Sequence, residues 1–195
     1  MNASLSPIKH SPPANSVGIS MLMSGDLKCF KFVFHSVLSF TDYPYMLTVV
    51  ESMQALTVRT YLRSIQKNHP INILMHNDKV ESDEQYNLGL KYMFANESVK
   101  FGCVIGDGVI VEPEWLSSLV ARLMSKEATE NKIVLIHVLA PCRSNGTPDM
   151  CVFTRESFEA VGGYTKNFSS HVAEAGFKTE LAPCVIVHKI NGGRK

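Results

Sequence analysis

In FGCVIGDGVIVEPEWLSSLV, residues 101–120, the carboxylate of Asp107 sits between Gly106 and Gly108 at the end of an apolar run. Aspartate and glycine are favoured in tight turns, so a turn alone accounts for the triplet. The same triplet also suits metal chemistry: two glycines leave room for a diphosphate to approach, and a hard divalent cation takes one or two carboxylates plus phosphate oxygens. Other polar residues close apolar runs in the same way. Glu51 ends YMLTVVE, Asp26 follows VGISMLM, the cluster His76, Asn77 and Asp78 follows INILM, and His188 ends PCVIVH. Each has a plain reading beside the binding one: a strand end for His188 and a turn for residues 76–78. Glu174 and His171 lie in HVAEAG, where a solvated helix face is the plain reading. Arg143 and Asp149 lie near the two ends of PCRSNGTPD, a loop long enough to handle a substrate. No Gly-rich phosphate loop, GxSxG or HExxH is present.

These residues can act together only if the fold carries them to one place. Leu27, Phe30, Phe34, Val37 and Leu38 share a helical face, as do Tyr86, Leu90, Met93 and Phe94, and again Trp115, Leu116, Leu119, Val120 and Leu123. The periodicity predicts helices over 27–40, 56–68, 82–95 and 113–124. Apolar strands lie between them at 17–23, 45–51, 71–75 and 99–105. Short apolar strands alternating with amphipathic helices predict an α/β fold, with a mostly parallel central sheet and helices on both faces. Such sheets bind ligands beyond the carboxyl ends of their strands. Asp26, Glu51, Asp78 and Asp107 all follow or close such ends. Beyond residue 124 come the apolar NKIVLIHVLA, the loop 141–149, MCVFT, the short helix RESFEAVGGY stopped by two glycines, and one extended segment, FKTELAPCVIVHKI.

Composition narrows the functional classes. With 195 residues, 45% hydrophobic content, 19% charged residues and a net charge of +1, the chain has the composition of an ordinary globular protein, with no bias toward nucleic acid or anionic lipid. Its longest apolar runs fall short of the roughly 20 residues needed to span a bilayer. Residues 1–16 hold three prolines and four serines and read as a flexible leader, and residues 17–195 as a single domain. The start carries no charged-then-apolar signal pattern, so the expected location is the cytoplasm. Five cysteines without CxxC spacing read as reduced core residues.

The order of segments resembles the family 2 glycosyltransferases, which have the GT-A nucleotide-sugar-binding fold. YNLGLKY, residues 86–92, is similar to that family's Asn-x-Gly helix, and VKFGCVIGDGVIVEPEWLSSLV to its metal-binding strand, turn and Pro-x-Trp-Leu helix. CVFTRESFEAVGGY resembles its Arg-containing segment ending in Gly-Gly-aromatic, and AGFKTELAPCVIVH its closing strand. The resemblance implies a glycosyltransferase that moves a sugar from a nucleotide-diphosphate donor to an unidentified acceptor, inverting and assisted by Mn2+ or Mg2+. It assigns Asp107 and His188 to the metal, Asp107 also to the diphosphate, and Glu51 to the nucleobase or ribose; Asp26 and Asp78, at the same expected sheet edge, are the further candidates for binding the nucleotide sugar. The catalytic base is unassigned, with Glu174 and Asp149 as candidate acids. Relatives place an acidic pair after the Gly-Gly-aromatic, where this chain has TKNFSSHVAEAG. A rival reading is therefore a catalytically degenerate GT-A-like binding or scaffold protein.

Overall fold

Strict alternation of strand and helix governs the first half of the chain. The computed structural model describes residues 12–23, 26–51, 56–75, 81–106, 108–138, 150–182 and, as backbone only, 187–189. In order come β1 (Ser16–Met23), α1 (Leu27–Phe40), β2 (Tyr45–Glu51), α2 (Leu56–Gln66), β3 (Ile71–Met75), α3 (Ser82–Phe94) and β4 (Val99–Ile105). Then follow β5 (Val109–Val111), α4 (Trp115–Leu123), α5 (Lys126–Asn131), β6 (Ile133–Val138), β7 (Met150–Thr154), α6 (Arg155–Ala160), α7 (Phe168–Glu174), β8 (Lys178–Leu181) and β9 (Val187–Lys189). The main sheet has seven strands in the order β3-β2-β1-β4-β7-β6-β8. Only β7 runs against the others, being antiparallel to both β4 and β6. The predicted α/β architecture is thus the one adopted.

Two apolar layers sandwich this sheet. Val17, Ile19, Met21 and Met23 alternate along β1 toward the core shared with α1, α2 and α4. The other face packs on α3, α6 and α7 through Val104, Leu135, Cys151 and Phe153. Close approach on that second face depends on glycine. A Cβ on Gly89 of α3 would lie 2.3 Å from Ser20 Oγ, and one on Gly102 of β4 would lie 2.4 Å from the Phe153 ring. Among the described residues no helix is long and apolar enough to cross a membrane.

Two local expectations are corrected, and one helix appears that the periodicity did not predict. The helix predicted from residue 113 begins at Trp115, because Glu114 adopts φ 64° and so cannot continue a right-handed turn. The polar KEATEN forms α5, capped by Ser125 Oγ, which accepts from the Ala128 amide. The single extended segment expected over 177–190 is divided: β8 joins the main sheet, while β9 pairs with β5 in a separate two-stranded sheet.

Candidate functional site

The parallel register brings four strand ends to one edge. Met23, Glu51 and Met75 stand side by side at the ends of β1, β2 and β3. β4 ends beside them at Ile105. Asp26 is three residues beyond β1, Asp78 three beyond β3 and Asp107 two beyond β4. Asp78 with its neighbours His76 and Asn77, Asp107, and the loop residues Arg143 and Asp149 themselves lie outside the described residues.

Glu51 is 1% exposed and alternates with Leu47 and Val49, so its side chain faces the α1–α2 layer. There the Arg59 Nε of α2 donates to Glu51 Oε2 at 3.4 Å. Oε1 is buried with no partner among the described residues. A buried carboxylate accepts hydrogen bonds only, and leaving one of its oxygens unpaired is costly. The buried Met23 and the half-buried Met75 flank it, so the row is apolar with one acceptor at its centre. Asp26 is exposed and does structural work: its Oδ1 accepts from the Lys28 amide at 2.8 Å and caps α1.

Around the opening motif, Gly108 has φ 83° and the Val109 amide donates to the Gly106 carbonyl at 3.4 Å. A left-handed residue there favours glycine. β5 is then fixed onto α1, its Val111 amide donating to the buried Ser36 Oγ at 3.2 Å. Trp115 Nε1 donates to Thr41 Oγ1 at 3.3 Å just beyond. β9 returns from the far end of the chain to pair antiparallel with β5, with His188 opposite Ile110. The backbone of His188 therefore stands beside Ile110, a residue three positions after Asp107 in the sequence. Among the described residues no three His, Cys, Asp or Glu side chains cluster as metal ligands.

The second face supports this edge through α3. Tyr86 OH donates to the Ile105 carbonyl at 3.0 Å, at the mouth of the Asp107 turn. Tyr164 packs edge-on against Tyr86, with ring centroids 5.6 Å apart. Burial raises the Tyr164 phenol above its ordinary range, with lesser contributions from Cys151, Tyr86 and Asp83. Burial also pushes the Cys151 thiol up to about 12, making it an inert core group, as expected for these cysteines. The loop after Tyr164 is tied to the start of α3, the Lys166 amide donating to Asp83 Oδ2 at 2.6 Å.

Glu174 is not brought to this edge. It is exposed on α7, shortly before Lys178, which pairs with Ile133 at the opposite end of β6. Two residues not singled out in the sequence do belong to the region. Arg59 is one; eight positions separate it from Glu51 in the chain, so no local pattern announces the pair. His137 is the other, next to last in β6, with a buried Nδ1 that has no partner among the described residues. Burial lowers its pKa. In the string IVLIHV it is indistinguishable from an ordinary core histidine.

No protein-family model and no curated protein sequence matches the chain. Solved structures do match. The mannosyltransferase PcManGT from Pyrobaculum calidifontis, solved with GDP-Man and Mn2+, aligns with TM-score 0.72 and 13% identity over 97% of this chain and 61% of its own. S. aureus TarS residues 1–349, solved with UDP-GlcNAc, aligns with TM-score 0.71 and 9% identity over 91% of this chain and 60% of its own. Glucosyl-3-phosphoglycerate synthase from Mycobacterium tuberculosis, solved with Mn2+, UDP and glucosyl-3-phosphoglycerate, gives TM-score 0.59 and 12% identity over 92% of this chain and 73% of its own. The chain has the GT-A glycosyltransferase fold, and it spans about three fifths of the length of the first two of these structures.

Proposed function

We propose that the chain binds a nucleotide-diphosphate sugar at the carboxyl edge of its sheet and transfers the sugar to an acceptor hydroxyl. The observation that carries this reading is Glu51: a buried carboxylate at the ligand edge of a GT-A sheet, with one oxygen lacking a partner among the described residues. That oxygen would accept from the nucleoside. Asp26 and Asp78, which follow β1 and β3 along the chain, would contact the same nucleotide, and Asp107 would hold its diphosphate.

Asp107 and His188 would hold a divalent cation, and the pairing of β9 with β5 supports their association. A carboxylate with an imidazole suits an ion such as Mn2+ or Mg2+ that keeps positions open for phosphate oxygens. Bound there, the ion supplies charge neutralisation for the departing diphosphate. The chain's own part is to position donor and acceptor. In the proposed inverting transfer the acceptor oxygen bonds to the anomeric carbon as the bond from that carbon to the diphosphate breaks. The hydroxyl proton passes to a base, for which Asp149 remains the candidate acid, since Glu174 stands at the far end of the sheet.

That placement of Glu174 favours a second reading, a GT-A-like binder that holds a nucleotide without transferring sugar. Calorimetric titration with UDP-, GDP- and TDP-sugars, with and without Mn2+, tests the binding. Metal-dependent binding lost in Asp107→Ala supports the proposal, and no binding by any of them overturns it. Release of free sugar from the donor, also lost in Asp107→Ala, separates enzyme from binder.

A further inference from the structure

The ion pair at the end of β2 is half-made. Arg59 reaches Glu51 through Nε alone, at 3.4 Å to Oε2, and keeps 30% of its side-chain surface in solvent. Glu51 is 1% exposed, and its Oε1 has no partner among the described residues. A purely structural arginine–carboxylate pair at this depth is expected to use the fork of the guanidinium on both oxygens. Here the geometry anchors one oxygen and leaves the other unpaired, between Met23 and Met75 on the neighbouring strands. Thioether side chains are good contacts for a flat ring.

We infer that Arg59 is a positioning residue: it fixes the Glu51 carboxylate so that Oε1 is presented to an N–H or O–H donor on a nucleoside. The inference rests on the nucleotide-binding reading above. It assigns to α2 a role that the strand-end carboxylates do not reveal. The ligand recognised is a nucleoside with a hydrogen-bond donor directed at Oε1 and a ring edge against the methionines. Glu51 therefore depends on Arg59 twice, for compensation of its buried charge and for the direction of its unpaired oxygen.

The test begins with calorimetric titration of the wild-type chain with UDP, GDP, ADP and CDP in the presence of Mn2+. The tightest of these is then titrated into Arg59→Met, Arg59→Lys, Glu51→Gln and the double variant Arg59→Met/Glu51→Gln. Arg59→Met and Glu51→Gln are each expected to weaken binding by roughly tenfold or more, the scale of one lost hydrogen bond to a charged group. Arg59→Lys is expected to recover part of that loss. The double variant is expected to bind no more weakly than the worse single variant, because both act through one oxygen. If Arg59→Met leaves too little folded protein, Arg59→Lys and the double variant, which carries no orphaned charge, decide the matter. Wild-type affinity in a folded Arg59→Met chain, or losses that simply add in the double variant, overturns the inference while leaving nucleotide binding intact. Failure of all four nucleotides to bind the wild-type chain overturns the nucleotide reading, and the inference with it.

Discussion

Asn87 and Tyr164 hold each other by two backbone-directed hydrogen bonds: Asn87 Nδ2 donates to the Tyr164 carbonyl at 2.8 Å, and the Tyr164 amide donates to Asn87 Oδ1 at 2.7 Å. One amide side chain thus satisfies both polar groups of a residue that follows the left-handed Gly162 and Gly163. A Cβ on Gly163 would lie 3.0 Å from Asn87 Oδ1, so that glycine also makes room for the clamp. Replacing the asparagine with leucine leaves the amide and carbonyl of Tyr164 unpaired. Asn87→Leu is expected to cost about 1–3 kcal/mol in urea unfolding. Asn87→Asp keeps the acceptor and loses the donor, and should fall between the two. An unchanged urea midpoint for Asn87→Leu would show that the clamp does not contribute to stability.

Gly89 tests the packing of α3 on the sheet. A Cβ at this position would come within 2.3 Å of Ser20 Oγ, so Gly89→Ala must either turn that hydroxyl out of its hydrogen bond to the Tyr86 carbonyl or push the helix off β1. Overpacking of this kind costs about 1–3 kcal/mol, more than the helix propensity gained by alanine. Adding Ser20→Ala removes the clashing oxygen and leaves a 3.2 Å approach to the Ser20 Cβ, so it should recover part of the loss. Thermal melts of the single and double variants measure it, and a Gly89→Ala chain more stable than wild type would contradict this packing.

His137 predicts a pH dependence. Burial holds its native pKa below the ordinary histidine value, so the native imidazole stays neutral where the unfolded one takes up a proton. Below about pH 6.5 the unfolded chain binds more protons than the native one, and stability falls as pH falls. The slope from this group cannot exceed about 1.4 kcal/mol per pH unit, and it vanishes again below the native pKa. His137→Phe should remove that increment from the stability profile between pH 7 and 5. An identical profile in the variant would assign the acid sensitivity to other groups.

Glu51 predicts an opposition between stability and binding. A buried carboxylate paired at only one oxygen contributes little to folding and can destabilise it. In the absence of nucleotide, Glu51→Gln should leave the melting temperature unchanged or raise it, while Arg59→Met should lower it by orphaning the charge. A marked loss of stability in Glu51→Gln would mean that the pair is structural.

Glu180 anchors the outer strand of the sheet. Arg122 at the end of α4 donates Nε to Glu180 Oε1 at 2.8 Å and Nη2 to Oε2 at 2.7 Å, and Nη1 to Glu127 at 2.8 Å. Hydrogen bonding to both carboxylates raises the guanidinium pKa, so the fork stays charged. Arg122→Met should speed amide exchange in β8, which has one strand neighbour, while leaving β1 and β4 protected; equal exchange in β8 would show that its pairing with β6 suffices.

The sequence by itself determined the layers. Hydrophobic periodicity is a local property, so the helices 27–40 and 82–95 and the strands 45–51, 71–75 and 99–105 could be read directly, and their alternation implied a parallel sheet with Glu51 and Asp107 at its carboxyl edge. Local chemistry also marked Gly108 as a turn glycine, which its φ of 83° bears out. Only the tertiary structure decided which distant groups meet. The Arg59–Glu51 pair, the Asn87–Tyr164 clamp and the register that sets His188 opposite Ile110 all join residues by long-range packing, which leaves no trace in spacing. The same holds for Glu174: a carboxylate in a helix looks alike at either end of a sheet, and the pairing of Lys178 with Ile133 places this one away from the ligand edge.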